Sequence, residues 1–395
     1  MTSTASTEIW RDIRPYLDSE VHDAVEQLLA DQEFCSLLDQ VLPNQAEALK
    51  QGMLKSQTIR EIKLAFGYNI IRYILQKTAF SCDLSGTSRL GGDTPATFVS
   101  NHRDIILDTG ILNVLLADKG YRLPRIAIGD NLFARPWIKE VVRLMDSVTV
   151  KRAESPRDFL ASSQALSAYI LHSITQDKAS LWIAQREGRA KDSNDRTQPA
   201  LLKMLAIAGE GPIIDRLVNI NTVPVSISYE YDPCDYLKAM ELLARQQNGE
   251  YHKSPGEDVL NMREGLMGKK GRIHVTIGTP LRELISEVEL PKSPKDQLLL
   301  AAELIDREIH RHYRLYPANY IADDLLRGST HHHTAGHYSS KEQGEFEQYV
   351  EAQLDKCPTP QEARPHLRQQ MLLMYANPLR NHLLAIKRWR MTSNK

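Results

Sequence analysis

From about Gly86 onward, short β-branched runs alternate with helical stretches of a dozen or more residues. Two strands separated by that much helix cannot form a hairpin, so crossovers join them and they lie parallel. The pattern predicts an α/β fold with a mixed, largely parallel sheet flanked by helices. The predicted strands are 96–100, 125–128, 148–150, 180–184, 223–229 and 272–277, and the predicted helices are 107–116, 136–145, 156–174 and 199–208.

The segments on either side of this region have helical patterns. Before it, apolar residues such as Val21, Val25 and Leu28 recur at three- and four-residue spacing, with a break at Pro43. Residues 1–85 are therefore predicted to form an N-terminal helical domain, and 86–327 the α/β domain. Residues 328–395 are predicted to be a loop followed by a basic C-terminal helical extension, which has no acidic residue after Glu362.

Charge and cysteine content exclude several classes of protein. Lys and Arg number 49 against 50 Asp and Glu, so we expect no general nucleic-acid binding. The four cysteines form no CxxC pair, which indicates a reducing compartment and no metal knuckle. The first residues lack the apolar core of a signal peptide, and no run of 18 apolar residues is present. We expect a cytoplasmic protein without a membrane-spanning helix.

The first candidate site follows the first predicted strand, because ligands of open parallel sheets bind at the carboxyl ends of strands. His102 lies at that position, and a neutral imidazole there could accept a proton from a substrate hydroxyl. It requires an acceptor on its other nitrogen. Asp104 and Asp108 are both within reach along the chain. Either carboxylate could instead merely cap the following helix.

Charged residues also follow two later strands. Lys151 and Arg152 come directly after strand 148–150, where two cations could hold a phosphate. Strand 180–184 is followed by Glu187, Gly188 and Arg189, and the glycine allows a ligand to approach the backbone closely. Taken singly, the Lys-Arg pair is more typical of a solvated strand end, whereas the position of the second group after a buried strand argues against an ordinary polar loop.

The order of these blocks is more specific than any one of them. His-Asp, a basic pair, Glu-Gly-Arg and then a Pro that opens an apolar strand together resemble the glycerophospholipid acyltransferase family over residues 97–231. That family has four residues between His and Asp, whereas five separate His102 from Asp108. Arg186 stands where the family typically has proline. The partner of His102 is therefore Asp108 after one extra residue, or Asp104, and the apolar run behind Asp108 favours Asp108.

The resemblance implies a reaction and a set of roles. The family moves a fatty acyl group from a thioester to a hydroxyl of glycerol 3-phosphate or 1-acylglycerol 3-phosphate, in phospholipid biosynthesis and without a cofactor or metal. His102 would be the general base, oriented by Asp108 or Asp104. The residues implied for binding the substrate are Arg103, Lys151, Arg152, Glu187, Gly188 and Arg189.

Partners follow from the same resemblance. The donor would be acyl-coenzyme A or acyl carrier protein, and the acceptor a phosphorylated glycerol or lysophospholipid. The basic segment from Arg380 to Lys395 is typical either of a helix on the inner face of a membrane or of a solvated terminal helix. Four histidines close together in the sequence resemble a set of metal ligands: His331, His332, His333 and His337. Their Ser, Thr and Gly neighbours favour a mobile loop instead.

Two other classes of function stay open. A non-catalytic lipid- or protein-binding module could keep this scaffold, and the altered His-Asp spacing is the feature that favours it. A hydrolase could use His102 as a base on water, and it would not need a long groove for an acyl chain.

Overall fold

The computed structural model describes residues 9–393 with short gaps. Residues 93, 134, 153, 154, 250, 252, 255 and 359 are outside the described part, as are the side chains of residues 156 and 388–393.

One mixed sheet organises the described part of the chain. Its strands are β1 (Ala79–Ser85), β2 (Thr97–Ser100), β3 (Arg125–Gly129), β4 (Ser147–Val150), β5 (Leu181–Ala184), β6 (Thr222–Tyr229) and β7 (Gly271–Ile277). They lie in the order β1-β7-β6-β2-β5-β3-β4. The strands from β2 to β6 run parallel to one another, whereas β7 is antiparallel to β6 and parallel to β1. The predicted mixed, largely parallel sheet is confirmed, and β2 to β6 all end at the same edge.

The sequence pattern did not predict β1. Ala79–Ser85 contains no β-branched residue, and the strand is half-buried without a clear alternation. Its position comes instead from residues far along the chain, since Cys82 pairs with Ile273 and Ser85 with Thr276. Part of the range 1–85 therefore belongs to the sheet.

The N-terminal segment is otherwise helical. The side chain of Asp31 accepts a hydrogen bond from the Phe34 N–H and so starts the second helix, and Thr58 starts the fourth in the same way through Glu61. The helices enclose a small core of their own that includes Val25, Leu28 and Met53. They are α1 (Val21–Ala30), α2 (Gln32–Val41), α3 (Ala46–Lys55), α4 (Ile59–Ile62) and α5 (Asn69–Thr78), with a π-helical turn at Lys63–Tyr68.

Helices cover both faces of the sheet. Four of them begin with proline, which suits the first turn because its nitrogen needs no hydrogen bond there. The helices are α6 (Leu107–Asp118), α7 (Pro136–Leu144), α8 (Pro156–Thr175), α9 (Pro199–Leu205), α10 (Ile213–Asn219), α11 (Asp235–Asn248), α12 (Glu257–Met267), α13 (Leu281–Ser286) and α14 (Pro294–Arg311). One face packs on α5 and α6, and the other on α8, α9, α10, α13 and α14.

The C-terminal segment packs as a helical layer against α11. It consists of α15 (Pro317–Arg327), α16 (His331–Thr334), α17 (Ser340–Leu354) and α18 (Arg364–Ser393). Its core includes Phe346, Val350 and Met371 together with Ala239 of α11. None of the described helices combines the length and the hydrophobicity that a span across a bilayer requires.

The histidine-rich segment is not the loop that its composition predicts. Residues His331–Thr334 form a short helix because buried carboxylates of α15 hold it. The His332 ring lies 3.1 Å from Asp323, and Asp324 accepts from the backbone N–H of His332 at 2.9 Å. The described residues contain no group of three potential metal ligands.

Candidate active site

The chain leaving β2 is fixed by hydrogen bonds to both neighbouring strands. The Asn101 side chain donates to the Ile227 carbonyl at 2.9 Å and accepts from the Ile227 N–H at 2.8 Å. The Trp182 indole N–H of β5 donates to the Ser100 hydroxyl at 2.9 Å. These bonds place the following residue, His102, at the carboxyl edge of the sheet.

His102 and Asp108 are in direct contact. Nδ1 of His102 lies 2.8 Å from Oδ2 of Asp108, whose side chain is fully buried while the imidazole is 14% exposed. A hydrogen bond to a carboxylate assigns the proton to Nδ1, so the lone pair is on Nε2. The Trp182 ring meets the imidazole edge-on at 5.9 Å. The arrangement provides an oriented base whose Nε2 could take a proton.

The two candidate carboxylates have different environments. Asp104 uses Oδ1 to accept from the backbone N–H groups of Ile106 and Leu107, at 2.9 and 2.8 Å, and so caps the start of α6. Burial and the nearby charge of Asp108 raise the pKa of Asp104. The geometry therefore gives Asp108 the contact with the imidazole and Asp104 the capping position.

Arg103 lies inside the protein rather than at an open surface. Its guanidinium is buried and forms an ion pair with Asp195 at 2.7 Å, beside the Tyr313 ring. The ammonium of Lys238, also buried, donates to the Arg103 carbonyl at 2.8 Å. The charge of Arg103 is thus already balanced, and this residue anchors the segment that carries His102.

The charged residues that follow β4 and those that follow β5 meet at the surface. Arg152 and Glu187 form an ion pair at 2.8 Å, and both side chains are exposed. Gly188 has a φ of +67°, so it makes a turn that other residues rarely adopt. Lys151 lies further out, where it pairs with Asp12 at 3.2 Å and lines a cleft of about 350 Å³ together with Lys139 and Arg143.

Arg189 is the buried cation in the segment that follows β5. Its Nη2 donates to Asn261 of α12 at 2.9 Å, whereas Nη1 is buried and has no hydrogen-bond partner in the described part of the chain. Helix α12 also packs so closely on Asp104 that a Cβ at Gly265 would lie 2.1 Å from its carboxylate. Arg189 therefore lies on the same side of the sheet edge as the His102 segment.

Several residues that organise the site have no local sequence signal. Asp195, Lys238 and Tyr313 contact Arg103 from distant parts of the chain. A buried Lys or Asp is recognisable only when its partner is known, and here the fold supplies the partner.

The comparison with known families settles what kind of domain this is. Residues 81–228 match the Acyltransferase family model. The matched stretch begins in β1 and ends in β6, and it includes all the candidate residues named above. The resemblance to the glycerophospholipid acyltransferases is thereby confirmed over these residues, and it supports acyl transfer in lipid metabolism as the general activity. Among curated proteins, none matches the chain.

Proposed function

We propose that the protein transfers a fatty acyl group from an acyl thioester to a hydroxyl of glycerol 3-phosphate or 1-acylglycerol 3-phosphate. The observation that carries the proposal is the contact between His102 and the buried Asp108 inside a domain of the acyltransferase family. His102 Nε2 removes the hydroxyl proton while the oxygen attacks the thioester carbonyl. The C–S bond then breaks, and the proton passes from His102 to the departing thiolate. Asp108 stabilises the intermediate imidazolium.

The cations divide between the two substrates. Strand β4 lies three strands from β2 in the sheet, about 14 Å at normal strand spacing, which exceeds the length of glycerol 3-phosphate. We assign the acceptor phosphate to Arg189 and Arg152, because the Arg152 side chain reaches back to Glu187 beside β5. Glu187 and the Gly188 turn position the acceptor next to them. Lys151 and its cleft hold phosphates of the donor, which is acyl-coenzyme A or acyl carrier protein.

Each part of the chain has a proposed role. Residues 86–327 carry out acyl transfer, 1–85 support them as a helical domain, and 328–395 form the C-terminal extension. We propose that this extension also contacts the cytoplasmic face of a membrane. Leu383, Leu384 and Lys387 are exposed on α18, whereas Arg380 is bound to Asp323 at 2.8 Å. The side chains beyond residue 387, and Lys395 itself, lie outside the described residues.

The test is acyl transfer by purified protein. Palmitoyl-coenzyme A is offered with glycerol 3-phosphate or with 1-acylglycerol 3-phosphate in vesicles, and acyl carrier protein is tried as an alternative donor carrier. We expect product with one acceptor and a loss of about 10²–10⁴-fold in kcat for His102→Ala. His22→Ala, which changes an exposed histidine of α1, is the matched control and should retain full activity. Product formation that persists in His102→Ala would exclude the general-base role.

A further inference from the structure

Asp108 receives all its hydrogen bonds on one oxygen. Oδ2 accepts from His102 Nδ1 at 2.8 Å, from the Arg103 N–H at 2.7 Å and from the Asp104 N–H at 3.1 Å. Oδ1 is buried, and no residue of the described part of the chain donates to it. A buried carboxylate oxygen without a donor is destabilising, so a donor close to Oδ1 is expected.

Tyr229 is the donor that the fold brings to this position. It is the last residue of β6, and it shares a face of the strand with Val225 and Ile227, which pack towards α6. The Asn101 side chain ties Ile227 to the segment that leads into His102. The Tyr229 hydroxyl oxygen is buried and, within the described residues, has no hydrogen-bond partner either.

The charges around Tyr229 agree with a protonated hydroxyl. Burial raises the pKa of Tyr229 well above its usual value, and the coulombic effects of Asp108, Asp104 and Cys82 and the interaction of the hydroxyl with the Asp108 side chain act in the same direction. These three residues lie on α6, in the loop before α6 and on β1. Asp104 already accepts two backbone hydrogen bonds on Oδ1. Asp108 raises the pKa of the Tyr229 hydroxyl more than Asp104 does. The hydroxyl is therefore a donor at any working pH.

We propose that the Tyr229 hydroxyl donates to Oδ1 of Asp108 and makes Tyr229 a positioning residue for the His102–Asp108 pair. The role of the pair as base and orienter rests on the proposed function. The contact gives a hydrogen-bond partner to both the Tyr229 hydroxyl and Oδ1 of Asp108, and it prevents rotation of the carboxylate away from the imidazole. It also draws charge away from Asp108, so that the carboxylate stabilises the imidazolium less and Nε2 stays free to accept a proton.

The test is Tyr229→Phe, which keeps the ring and removes the hydroxyl. The titration of His102 is followed by NMR of ¹³C-labelled histidine, with the His102 signal assigned by its loss in His102→Gln. We expect the midpoint of this titration to rise by about 0.5–1 pH unit. The acid limb of the kcat/KM profile should move in the same direction, and kcat should fall about 10-fold with KM for the acceptor unchanged. Tyr231→Phe is the control, because Tyr231 packs on Tyr349 and not on Asp108.

The outcomes separate this contact from the function it serves. A shifted His102 midpoint in a protein without acyl transfer would support the contact and overturn the proposed function. An unchanged midpoint and acid limb, with a loss of thermal stability alone, would make Tyr229 a packing residue and overturn the contact. In an Asp108→Asn background the effect of Tyr229→Phe on the midpoint should disappear. Its persistence there would mean that the hydroxyl acts on another group, such as Asp104.

Discussion

Asp235 is a second buried carboxyl group whose surroundings decide its charge. It lies at the start of α11, where Oδ2 accepts from the Tyr375 hydroxyl at 2.8 Å and Oδ1 accepts from the Gln353 amide. Burial, followed by the charge of Asp232, raises the pKa of Asp235 to about 7. The carboxyl group is consequently protonated in the folded protein at pH values where an unfolded chain would release its proton.

This residue makes the stability fall as the pH rises. Since the folded pKa is above the unfolded value of 3.8, the folded state binds the proton more tightly, and unfolding becomes easier between about pH 4 and pH 7. The contribution is on the order of 4 kcal/mol. Asp235→Asn should remove this part of the slope, which urea unfolding of both proteins at pH 4.5 and pH 8 will measure. Equal slopes in the two proteins would contradict the raised pKa.

The residues of the site differ in how far the sequence could predict them. His102 and Asp108 are close in the chain and follow a strand, so both were predictable without the fold. The apolar run behind Asp108 already favoured it over Asp104 as the contact of the imidazole, and the fold adds that Asp104 caps α6 instead. Tyr229 and Lys238 could not be identified, because each acts on a residue more than a hundred positions away.

Among the secondary-structure elements, α18 has the least expected position. It holds the loop after β5, which carries Glu187 and Arg189. The Asn377 amide donates to the Asp192 carbonyl at 2.8 Å, and the Asn381 amide donates to the Asn194 side chain at 3.3 Å. Arg196 in turn donates to Asn381 at 3.3 Å. Helix α18, which lies outside the residues that match the family, thus holds a loop that lies within the matched residues.

Removing these contacts should loosen the loop without unfolding the protein. In the double variant Asn377→Ala/Asn381→Ala we expect kcat to fall about 10-fold, since each lost hydrogen bond costs about 1 kcal/mol of loop ordering. Trypsin should also cleave faster after Lys191 and Arg196. Gln369→Ala, at an exposed position of the same helix, is the control and should leave both rates unchanged. Unchanged cleavage in the double variant would show that the loop is held by other contacts.

Strand prediction succeeded for six of the seven strands and missed only β1, at one edge of the sheet. β2, β5 and β6 are buried along almost all of their length, so they consist of continuous apolar or β-branched residues. β1 is half-buried and has no such pattern. Its strand conformation depends on pairing with β7, and no local feature of the sequence predicts that pairing.

On the scale of the whole molecule, the C-terminal helices and α11 share one core. Met371 and Ala376 of α18 are fully buried in it, beside Ala239 of α11. Buried polar contacts extend the connection, because Tyr375 donates to Asp235 and Lys238 reaches Arg103. We therefore expect the extension and the α/β domain to unfold together.

Met371→Ala tests this expectation. Removing a fully buried methionine should cost about 2–5 kcal/mol of unfolding free energy. Circular dichroism, tryptophan fluorescence and residual activity should be lost in one coincident transition during urea unfolding. Leu384→Ala, at a side chain that is 54% exposed, should change the unfolding free energy by less than about 0.5 kcal/mol. Two separate transitions in Met371→Ala would mean that the C-terminal helices unfold on their own.

The pairing of β1 with β7 has a consequence for how the protein is made. A ribosome that has finished Ser85 must still translate everything up to Gly271 before the partner of β1 exists. At about 5–20 residues per second this takes on the order of 10–40 s. During that time a nascent chain exposes an unpaired strand that includes Phe80, which is 88% exposed even in the finished fold. Slower translation of residues 86–271 should therefore lengthen the time during which β1 is unpaired and open to pairing with other chains.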